Sequence, residues 1–83
     1  MAYEIQQTKV TGAAIEANRA LQGKGFNHGE VILGLSELIG RIIVDAVDNH
    51  IQAKELFQVA ADHIQKTILV GSQAQQKSII ERV

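Results

Sequence analysis

Apolar residues return at helical intervals along most of the chain, and capping residues and glycines divide that periodicity into four segments. In the first, Val10, Ala14, Ala17 and Leu21 recur at spacings of three and four, which predicts a helix over 11–22. Thr11 is the expected N-cap, with Val10 and Ile15 as a hydrophobic staple across it, and Gly23 supplies the left-handed stop. Tyr3 continues the same stripe, and residues 1–10 read as an arm, flexible or helical. The buried face of this helix is mostly alanine (Ala13, Ala14, Ala17, Ala20), which contributes little area but lets a neighbouring helix come close.

The second segment has the clearest start. Asn27 is placed to cap, Glu30 stands three residues on to return the hydrogen bond, and Phe26 staples against Val31. The predicted helix covers 28–48. At about 100° per residue, Glu30, Glu37, Arg41, Asp45 and Asp48 fall in one polar wedge, and nearly everything else is apolar over an arc of roughly 240°. An ordinary surface helix needs an apolar stripe of only about 100°, so this one requires cover on at least two sides.

A turn near 48–50 leads to a third helix for which Asn49, with Gln52 at the capping-box position, is the expected cap and Asp48 is nearly as good a one. Leu56, Phe57, Ala60, Ala61, Ile64 and Ile68 form its apolar face, with Lys54, Glu55, Gln58, Asp62, Gln65 and Lys66 opposite. Gly71 is the expected stop, after which Ser72 and Gln75 cap a short fourth helix carrying Ala74, Ile79, Ile80 and Val83. The fold class is therefore all-α: one domain over 1–83, a small antiparallel bundle of three main helices plus a short C-terminal helix, joined by short connections.

Composition narrows the function classes. Hydrophobic residues make up 46% of the 83 and charged residues 20%, with no proline or cysteine, so the core must be aliphatic and neither a thiol nucleophile nor a cysteine zinc site is available. Eight basic residues are offset by nine acids for a net charge of −1, which leaves no basic footprint for a phosphate backbone. The N-terminus lacks the basic start and apolar run of a signal peptide, and the apolar runs of 28–48 are too short and too often interrupted by charge to span a membrane. A cytoplasmic location is the resulting expectation.

Candidate chemistry is sparse. The Gly23-Lys24-Gly25 turn precedes a helix N-terminus, but it has no strand before it and no Ser or Thr at the phosphate-loop position, so it reads as a helix-linking turn. No two of His28, His50 and His63 are four residues apart, and no Glu-x-x-His motif is present, so no metal or cofactor is expected. Ser36, Ser72 and Ser78 read as a small contact residue, a cap and a surface residue, and no catalytic residue is assigned. One polar pair is expected across the second and third helices, between Glu37 and His63.

The favoured reading is a non-enzymatic helical interaction or regulatory module that self-associates as a homodimer. Its interface is the stripe Ile32, Ser36, Gly40, Ile43 and Val47, with Leu35, Leu38 and Ile42 assigned to the intrachain core against the third helix. Ser36 and Gly40 in mid-stripe permit close backbone approach. A second reading uses the 23–28 loop, with Lys9, Arg19, Lys24 and His28, to bind nucleic acid; a third is a small-ligand carrier or enzyme subunit.

Overall fold

A computed structural model describes the backbone of residues 4–82 and the side chains of residues 4–74. The protein is all-α: α1 (Gln7–Leu21), α2 (His28–Ala46) and α3 (His50–Arg82), with no strand among the described residues. The chain divides into two compact units, Met1–Ser36 and Glu37–Val83, with the boundary inside α2.

In the first unit, α1 begins four residues ahead of the expected Thr11 cap. Gln6 occupies the N-cap position in extended conformation, and its side chain makes no capping bond. Its carbonyl accepts the N–H groups of Lys9 and Val10 at 3.0 and 3.1 Å, so backbone geometry alone opens the helix. Thr11 and Gly12 are interior helical residues, and residues 7–10 of the expected arm belong to α1. Tyr3 lies outside the described residues. The helix ends as the sequence predicts: Gln22 donates to the Asn18 carbonyl at 3.1 Å, and Gly23 then adopts φ 74°, followed by Gly25 at φ 82°. A side chain in this left-handed region costs about 1–2 kcal/mol, which accounts for both glycines.

The capping box of α2 forms as read. Asn27 Oδ1 accepts the Glu30 N–H at 2.8 Å, and Glu30 Oε1 accepts the Asn27 N–H at 2.9 Å. The half-buried residues of this unit are Val10, Gly12, Ala17 and Leu21 on α1 and Val31 and Leu35 on α2. Apart from Gly12, they repeat at multiples and sums of three and four residues, the spacing of a narrow helix–helix seam.

In the second unit α2 ends at Ala46, two residues short of the expected boundary, and Asn49 caps α3. Its Oδ1 accepts the Gln52 N–H at 3.0 Å, while Gln52 Oε1 reaches past the cap to accept the Asp48 N–H at 3.0 Å. Ile43 and Val47 are half-buried here, with Ala53, Leu56, Ala60 and Ala61 of α3. The expected break at Gly71 does not occur, and neither does a separate fourth helix: α3 runs unbroken through Gly71 and Ser72 to Arg82. A glycine inside a helix costs about 1 kcal/mol relative to alanine, too little to stop a helix flanked by residues that propagate it. The side chains of Gln75, Ser78, Ile79, Ile80 and Val83 lie outside the described residues.

Candidate functional site

The apolar surface is the dominant feature of the molecule, because no described residue is fully buried. On α2, Leu33 and Val44 are each 72% exposed, Ile32 63%, Ile42 56% and Leu38 51%. On α3, Ile51, Phe57, Ile64, Ile68, Leu69 and Val70 are at least half exposed. Burying the exposed half of one such side chain returns on the order of 1 kcal/mol, whereas ordering a residue's backbone costs about 1–2 kcal/mol. In proteins most of a helix's stability comes from packing its apolar face, so α2 depends on cover that its few half-buried residues supply only in part.

The structure separates the residues of the expected interface stripe. Ile32, Ser36 and Gly40 are exposed, and a Cβ built on Gly40 would meet nothing within 4 Å. Ile43 and Val47 are half-buried. Leu38 and Ile42, assigned from sequence to the intrachain core, are exposed, while Leu35 is half-buried. A helix that is apolar over most of its circumference does not itself specify which face its chain neighbours take.

The polar groups on these apolar faces are satisfied locally. Ser36 Oγ donates to the Ile32 carbonyl at 2.7 Å, and Thr67 Oγ1 donates to the His63 carbonyl at 2.9 Å. Both hydroxyls can therefore be covered without leaving a donor unpaired. Phe57, Ile64 and Ile68, expected in the core face of α3, remain exposed while Leu56, Ala60 and Ala61 are half-buried. Sequence reasoning missed Leu69 and Val70 as surface residues. The signal was available: three successive apolar residues, Ile68 to Val70, point about 100° apart and cannot share one face.

The Glu37–His63 pair does not form among the described residues. Arg41 Nη2 takes up Glu37 Oε2 at 3.4 Å, a partner four residues away on the same helix that needs no tertiary register. The Glu37–Arg41 pair borders a shallow hollow on α2 with Gly40, Val44 and Asp45. Both side chains are more than two-thirds exposed, so the pair contributes a few tenths of a kcal/mol. Arg19, one of the basic residues of the nucleic-acid reading, is engaged by Glu16 at 3.3 Å.

Among the described residues no three His, Cys, Asp or Glu side chains gather in a metal-holding group, and no helix is long and apolar enough to cross a membrane. In comparisons with protein-family models, curated proteins and solved structures, nothing matches the chain.

Proposed function

We propose that the chain is a helical interaction module that completes its hydrophobic core by associating with a second copy of itself, and acts as a scaffold or regulator in that form. One observation carries this reading: large aliphatic side chains stand half or more exposed along α2 and no described residue is buried. Exposed aliphatic side chains around a helix, in place of a buried core, support docking of another protein surface there. Ile32, Ser36 and Gly40 form the docking row on α2, since they stand at four-residue spacing, are exposed, and include a serine already satisfied by its own helix.

The test is a pair of charge insertions read by size-exclusion chromatography with light scattering. Ile32→Asp places a carboxylate in the row and is expected to reduce the assembly to monomer, or to unfold it if the monomer is not viable alone. Lys54→Asp, on the polar face of α3 with no acidic residue three or four positions away, is expected to leave the mass unchanged. An Ile32→Asp variant with the mass and helicity of the unmodified chain contradicts the assignment.

A further inference from the structure

No further inference is drawn: the strongest candidate, the apolar row of Phe57, Ile64 and Ile68 along α3, is an uncovered helix face and nothing in the structure shows what covers it.

Discussion

Asn27 and Glu30 exchange two hydrogen bonds across the first turn of α2, each side chain accepting the other residue's backbone N–H, at 2.8 and 2.9 Å. Two of the amides that every helix start leaves without an intrahelical partner are thereby satisfied. Asn49 and Gln52 do the equivalent at α3, except that Gln52 reaches the N–H of Asp48. Asn27→Ala and Asn49→Ala should each lower stability by about 1 kcal/mol in urea unfolding followed by circular dichroism at fixed protein concentration. Thr11→Ala is the control. Because Thr11 lies inside α1, its replacement should be neutral or stabilise by up to about 0.7 kcal/mol. A loss of 1 kcal/mol there would restore Thr11 as the cap.

Gly34 and Gly40 sit in α2 with open space where a Cβ would be, and each costs about 1 kcal/mol of helix propensity. Gly34 falls on the polar wedge of the helix, and Gly40 in the proposed docking row. Gly34→Ala should therefore raise the thermal midpoint and, because folding and association are linked, tighten self-association as well. Gly40→Ala should weaken association, because the added methyl holds two backbones apart. Equal stabilisation and equally tightened association in both variants would remove Gly40 from the interface.

Continuity of α3 through Gly71 makes a further distinction. Gly23 and Gly25 have positive φ, and Gly71 does not. Gly71→Ala should increase helicity and stabilise by up to about 1 kcal/mol, while Gly23→Ala should destabilise by about 1–2 kcal/mol. If Gly71 were instead a left-handed stop, alanine there would destabilise, and circular dichroism with thermal melts reads the difference directly.

These outcomes trace how far the sequence carries. Caps are legible because they are local: Asn27 with Glu30 and Asn49 with Gln52 need only three residues and a fixed geometry. The start of α1 was not, since Gln6 opens it through its carbonyl and offers no capping side chain to read. Gly71 does not end α3, because one glycine's cost is small against the helix around it. For the candidate surface, the excess of apolar residues on α2 was visible, but not its partition. Whether Leu38 and Ile42 or Ile43 and Val47 are covered depends on where a neighbouring helix lies, which the periodicity of α2 does not contain.

On the proposed function, folding and association are one process, since no described side chain of the helices is buried. Sedimentation equilibrium and far-ultraviolet circular dichroism of the unmodified chain, over the same range of concentrations, test that claim most directly. Mass is expected to rise from one chain to two as concentration increases, with helicity rising in step. A chain that stays monomeric and fully helical at every concentration would contradict it.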